Sequence, residues 1–134
     1  MSSRLFGTDG IRGPFGEPPL DRETVERLGY RVGEVLAANG HEPRIVVGGD
    51  TRASTPTLAS WLATGLDAAG ASSSYAGVLP TPGVAALTRH LGAQAGVAIS
   101  ASHHPHPDNG IKLFGAAGCK WDDAAEDDLK QRQA

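Results

Sequence analysis

The chain is expected to fold as an α/β domain, a three-layer α/β/α arrangement around a mixed, largely parallel four-stranded sheet. Three helix-like stretches alternate with short apolar runs rich in β-branched residues, the pattern of strands whose helical crossovers cover both sheet faces. The last two apolar runs are joined, from Ile99 to Ile111, by a link without a helix. Such a return is more naturally antiparallel, which makes the sheet mixed. At 134 residues the chain fits one domain with an ordinary core.

Taken in order, residues 14–20 carry Pro14, Gly16, Pro18 and Pro19 and read as a loop. Asp21 opens a helix to about Asn39, with Val25, Leu28, Val32, Val35 and Leu36 on one face and Gly40 as the stop. Arg44-Ile45-Val46-Val47-Gly48 is a buried strand. Thr55-Pro56 offers a capping hydroxyl and a proline in the first turn of a second helix, which places Leu58, Leu62, Leu66 and Ala69 on the core and ends at Gly70. Ser73 to Val78 is a weaker strand, and Thr81-Pro82 repeats the cap signature before a helix from 82 to about Leu91. Strands Val97–Ile99 and Ile111–Phe114 complete the sheet. The tail Asp122–Ala134, with Leu129 its only large apolar residue, reads as a solvated helix.

Composition narrows the function classes. Hydrophobic residues make up 40% and charged residues 20%, which suits a globular domain rather than a disordered one. The net charge of -3 argues against a nucleic-acid partner, which demands a basic surface, but leaves room for a local anion site. No apolar run approaches the roughly 18 residues of a membrane span, so no membrane partner is expected. The start Met1-Ser2-Ser3-Arg4 lacks a signal-peptide core. The single Cys119 cannot form an internal disulfide and reads as a small, partly buried apolar residue. A cytoplasmic location is compatible with all of this.

The most informative segment runs from Ile99 to Lys112. Ile99-Ser100-Ala101-Ser102-His103-His104-Pro105-His106-Pro107-Asp108-Asn109-Gly110-Ile111-Lys112 is a polar loop pinned by apolar runs at both ends. Loops so dense in titrating and hydrogen-bonding groups suit function better than mere connection. Ser102 is either a solvated loop hydroxyl or, with partners that stabilise charge, a nucleophile or phosphoryl carrier. His103 could contact phosphate or move a proton. Lys112 either snorkels from a strand end or acts on the chemistry. Arg12, in an otherwise uncharged turn, is a surface residue or a planar fork for phosphate oxygens. Asp50 and Arg52 read as a pair that braces loops. His103, His104, His106 and Asp108 invite a transition-metal reading, yet the prolines break any regular ligand spacing, so adventitious metal binding is the better account.

The segment resembles the phosphoserine loop of the α-D-phosphohexomutases, with its Ser/Thr-Ala-Ser-His-Asn-Pro and Asp-Asn-Gly-Ile-Lys pattern. The opening Phe6-Gly7-Thr8-Asp9-Gly10-Ile11-Arg12-Gly13 is similar to that family's first motif, in the form of its phosphoglucosamine mutase branch, and Gly49-Asp50-Thr51-Arg52-Ala53-Ser54 also fits. The resemblance covers nearly the whole chain but only the first of the family's four domains, so the chain 1–134 is expected to be domain I with later domains elsewhere. One departure is His104, where the family has asparagine.

The resemblance implies that Ser102 is the catalytic phosphoserine and Lys112 the group that takes the proton from the attacking sugar hydroxyl. His103 and Arg12 would belong to the same centre, and Thr8, Asp9, Gly10 and Asn109 would support substrate or loop. It implies exchange of glucosamine 6-phosphate and glucosamine 1-phosphate through a bisphosphate intermediate. The implied cofactor is Mg2+, bound through the phosphate on Ser102 and an Asp-x-Asp-x-Asp loop that does not occur in these residues. The implied partners are the hexosamine or hexose phosphate substrate and the later domains of the same protein. Alone, the chain is expected to be inactive. The alternatives are a phosphoglucomutase or phosphomannomutase domain, or a non-catalytic module that binds anions or a partner.

Overall fold

The computed structural model describes residues 11–37, 42–100 and 108–115. Its elements are β1 (Ile11–Pro14), α1 (Arg22–Ala37), β2 (Arg44–Gly49), α2 (Ser54–Ala68), β3 (Ser72–Val78), α3 (Thr81–Leu91), β4 (Ala95–Ile99) and β5 (Asp108–Gly115). They form one sheet in the order β1-β5-β4-β2-β3. Strands β3, β2 and β4 run parallel, whereas β5 pairs antiparallel with both β4 and β1. The α/β class, the helical crossovers and the antiparallel return are therefore as the sequence indicates.

The sheet has five strands, not four. The additional one is β1, whose Ile-Arg-Gly-Pro composition carries little strand propensity of its own. Pairing of Ile11 with Ile111 and of Pro14 with Asp108 supplies what propensity does not. An edge position tolerates Gly13 and Pro14 because one side of the strand needs no ladder partner. Strand β5 is also longer than expected: it starts at Asp108, so Asn109 and Gly110 belong to the ladder and Lys112 lies inside the strand rather than at its end.

Hydrophobic burial divides the molecule into layers. On one face, Val25, Leu28 and Val32 of α1 and Leu58, Leu62 and Leu66 of α2 pack with Ile45, Val97 and Ile111 of the sheet. On the other, Val84 of α3 packs with Ala98 and Phe114. Alternation along β5 explains the split, since Ile111 and Leu113 point to the first layer and Phe114 to the second.

Helix starts differ from the sequence expectation in one consistent way. Asp21 does cap α1, with its carboxylate accepting from the Thr24 amide at 3.3 Å. Neither Thr55 nor Thr81 is a cap, however: α2 begins after Ala53 and α3 after Pro80, neither with a side-chain cap hydrogen bond. Both threonines lie inside the first helical turn, and the Thr55 hydroxyl is turned to another partner. The prolines sit in the first turns as expected, and Gly70 and Gly92 end α2 and α3 with positive φ. The stop at Gly40, Cys119 and the tail from Asp122 lie outside the described residues.

Helices α1 and α2 cross at backbone contact. A Cβ on Gly65 would overlap the Glu26 carbonyl oxygen and stand 2.7 Å from the Tyr30 nitrogen, and one on Gly29 would overlap the Leu62 carbonyl oxygen. Alanine at position 65 gains about 1 kcal/mol in helix propensity but must push one helix backbone off the other. Overpacking commonly costs about 1–3 kcal/mol, and here no flexible side chain can give way. Gly65→Ala is therefore expected to lower the urea midpoint by the equivalent of roughly 2 kcal/mol at unchanged m. A midpoint at or above that of the parent sequence would show that the crossing relaxes freely.

Candidate active site

The order β3-β2-β4 contains a reversal: the chain leaves β2 through α2 to one neighbour and returns through α3 to the other. At such switch points the carboxyl ends of the strands splay apart and leave a crevice for ligands. Here it is bounded by Gly49-Asp50 at the end of β2, Ile99-Ser100 at the end of β4 and the start of α2. Strand β5 begins beside it, so residues 101–107 leave from and return to this edge.

Hydrogen bonds, from part-buried to fully buried, tie these pieces together. The Asp50 amide donates to the Ile99 carbonyl at 3.0 Å, and the Ser100 amide donates to the Gly110 carbonyl at 2.9 Å. The Asp50 carboxylate accepts from the Arg52 guanidinium, from the Arg52 amide at 3.1 Å and from the Thr55 hydroxyl at 2.8 Å. Asn109, fully buried, donates from Nδ2 to Ser54 Oγ at 2.8 Å and to Thr55 Oγ1 at 3.1 Å, and its Oδ1 accepts from the Gly110 amide at 2.8 Å. The polar atoms of the Asn109 side chain are thus all occupied.

Arg12 and Lys112 occupy one face of the sheet. Arg12 stands opposite Gly110 in the β1–β5 ladder, and a Cβ on Gly110 would lie 2.8 Å from Arg12 Cγ. The arginine stem therefore crosses β5 over a position without a side chain. Lys112 is two residues along β5 and so on the same face, half-buried and opposite Ala98 of β4. Two cations thus share a face at the end of the sheet from which residues 101–107 depart. An anion is the ligand that such a face could hold.

Among the residues expected from sequence, Arg12, Lys112 and Asn109 are brought to this edge, with Asn109 on the opposite face of β5 from the two cations. Ser102, His103, Thr8, Asp9 and Gly10 lie outside the described residues. Asp50 and Arg52 form the expected pair. Sequence reasoning missed Ser54 and Thr55: their partner Asn109 is 54 or 55 positions away, a link that no local pattern carries. Among the described residues, no group of three or more histidine, cysteine or acidic side chains could hold a metal ion. They make no site for the implied Mg2+ by themselves. No helix among them is long and apolar enough to cross a membrane.

Partial burial pushes the Asp50 carboxyl upward, but the hydrogen bonds from Thr55 and Arg52, together with the guanidinium charge, outweigh it and hold the carboxyl below its usual range. Asp21 is likewise held down, chiefly by its hydrogen bond with the Thr24 side chain and against a smaller desolvation effect. For carboxyls depressed on folding, the stabilisation is present above the unfolded value, about 3.9, and is lost as pH falls through the folded value. Urea midpoints should therefore hold steady down to about pH 5 and drop below about pH 4. Asp50→Asn should flatten that drop; a slope equal to the parent's would remove Asp50 from the account.

Comparison with known proteins follows the same lines. Residues 3–134 match the family described as phosphoglucomutase/phosphomannomutase, alpha/beta/alpha domain I. The phosphoglucosamine mutase of Deinococcus deserti is 54% identical over 94% of this chain and 29% of its own length. That of Paraburkholderia phymatum is 49% identical over 98% of this chain and 30% of its own. A Thermus thermophilus protein, solved as a candidate phosphomannomutase, superposes with a TM-score of 0.86 at 29% identity, covering 99% of this chain and 30% of that one. A phosphoglucomutase/phosphomannomutase family protein of Burkholderia thailandensis gives 0.79, also at 29% identity, over 99% of this chain and 30% of its own. The chain thus spans about 30% of the length of the curated relatives it matches.

Proposed function

The chain belongs to the phosphoglucomutase/phosphomannomutase family, matching its domain I, and from that premise we propose that it is the phosphoserine-bearing domain of a longer phosphoglucosamine mutase. The reaction interconverts glucosamine 6-phosphate and glucosamine 1-phosphate. Phosphorylated Ser102 gives its phosphoryl group to the free sugar hydroxyl; the P–O bond to serine breaks as the bond to the sugar oxygen forms, the hydroxyl proton passes to Lys112 as its neutral amine, and the departing serine oxygen takes a proton relayed by His103. The bisphosphate turns over in the site, and its other phosphate returns to Ser102, restoring the carrier. Arg12 binds the transferring phosphate with a planar pair of donors, and His103, next to the serine, contacts phosphate or relays a proton. Transfer of this kind depends on in-line placement and charge neutralisation rather than on new covalent chemistry.

The observation that carries this reading is the shared placement of Arg12 and Lys112 on one face of β1 and β5, at the edge where the Ser102 segment leaves β4 and rejoins β5. Later domains would supply the sugar contacts and the remaining ligands of Mg2+, whose first protein ligand here would be the Ser102 phosphate. When bound, such an ion neutralises phosphoryl charge. Residues 1–134 alone should not turn over substrate, and the full-length protein is expected in the cytoplasm.

Intact-mass measurement tests the carrier directly. Incubated with glucosamine 1,6-bisphosphate, the full-length protein should carry one phosphate, and peptide fragmentation should map it to Ser102. A protein that isomerises sugar phosphates with Ser102 unmodified throughout would require a different carrier.

A further inference from the structure

We infer that Asp50, Thr55 and Asn109 form a hydrogen-bonded clamp that fixes both ends of segment 101–107, making Asp50 and Thr55 positioning residues for phosphoryl transfer. The inference rests on the proposed role of Ser102. The entry side is held through the Asp50 backbone, whose amide donates to the Ile99 carbonyl at 3.0 Å. The exit side is held through Asn109, which binds the first turn of α2 and the following Gly110 amide. Thr55 joins the two sides. A carboxylate can only accept, so the Thr55 hydroxyl proton is committed to Asp50 and its lone pairs are left to face Asn109. That one hydroxyl also sets the amide orientation, because Asn109 Nδ2 must then point to Ser54 and Thr55 and Oδ1 to Gly110.

The residue types fit a device for setting geometry rather than one for simple packing. Thr55 and Asn109 are both fully buried, where an unpaired polar group is costly and an apolar residue would fill the same volume without the risk. The bonds converge on the two strand ends that bracket a single segment. Space for them is kept by Gly49, where a Cβ would stand 2.7 Å from the Ile99 carbonyl oxygen, and by Gly110, where it would stand 2.9 Å from the Ser100 carbonyl oxygen. In-line transfer is sensitive to displacements of about 1 Å, which can cost about 100-fold in rate. A clamp at both ends limits such displacement.

The test uses Thr55→Val, which keeps the shape and removes the hydroxyl, Thr55→Ser, which restores it, and Ser54→Ala, a milder break at a part-exposed position. In the full-length protein, Thr55→Val should raise hydrogen exchange at the Ser100 and Gly110 amides at least tenfold more than in α1. It should also lower kcat at least tenfold while KM for the sugar phosphate changes less than threefold. Thr55→Ser should recover both readouts, and Ser54→Ala should move both in the same direction by less, which keeps the test open if Thr55→Val does not fold. Exchange that rises equally everywhere, or kcat that holds when Ser100 and Gly110 loosen, would overturn the inference by reducing the network to ordinary stability. If the wild-type protein isomerised no hexosamine phosphate, the functional reading would fall, and the exchange comparison would still decide whether Thr55 holds the two ends.

Discussion

Ser102→Ala in the full-length protein should lower mutase turnover by at least about four decades, in the range seen when a covalent nucleophile is lost. In the proposed cycle each sugar receives one phosphoryl group from the serine and returns the other, so without the hydroxyl neither half can occur. Water or the sugar's own phosphate is no substitute for an oxygen held in line. Among the described residues, Ser100, Asn109 and Gly110 make hydrogen bonds that flank the segment, and the substitution leaves those groups unchanged. The variant should therefore melt within a few degrees of the wild type and take up no phosphate from a bisphosphate. Turnover within tenfold of the wild type would place the carrier elsewhere.

Much of the fold was legible because it rests on local signals. Helices α1 and α2 announce themselves by apolar spacing, α3 by its Thr-Pro start, and β2 and β4 by β-branched or small apolar runs. The antiparallel return followed from the absence of a helix between Ile99 and Ile111. What was not legible depends on partners far along the chain. Strand β1 exists because β5 offers a ladder to a sequence with poor strand propensity. Thr55 looked like a helix cap because a Thr-Pro pair commonly is one, but its hydroxyl donates instead to Asp50, five residues earlier. For the candidate site, the motifs gave Arg12, Asn109 and Lys112. The placement of Arg12 on the Lys112 face came only with the register of β1 on β5, where a one-residue slip would move the arginine to the other face.

That register sets the surroundings of Lys112. Lys112 shares a face with Arg12 and stands half-buried beside Ala98, inside the strand. A lysine there is held by its pairing with β4, unlike a side chain free to swing at a strand end. If it takes the proton of the attacking hydroxyl, Lys112→Met should lower turnover by roughly two to four decades, the contribution usual for a general acid–base group. Methionine keeps the unbranched length and the apolar stem, so packing against the sheet is largely preserved. Lys112→Arg separates two roles for the same nitrogen. A guanidinium keeps the positive charge but does not give up its proton in proteins, so an arginine variant as impaired as the methionine variant points to proton transfer. An arginine variant near wild type would instead make Lys112 a phosphate contact, acting by charge in company with Arg12. A loss of less than threefold in Lys112→Met would exclude both roles and leave the lysine as a strand residue that happens to face the site.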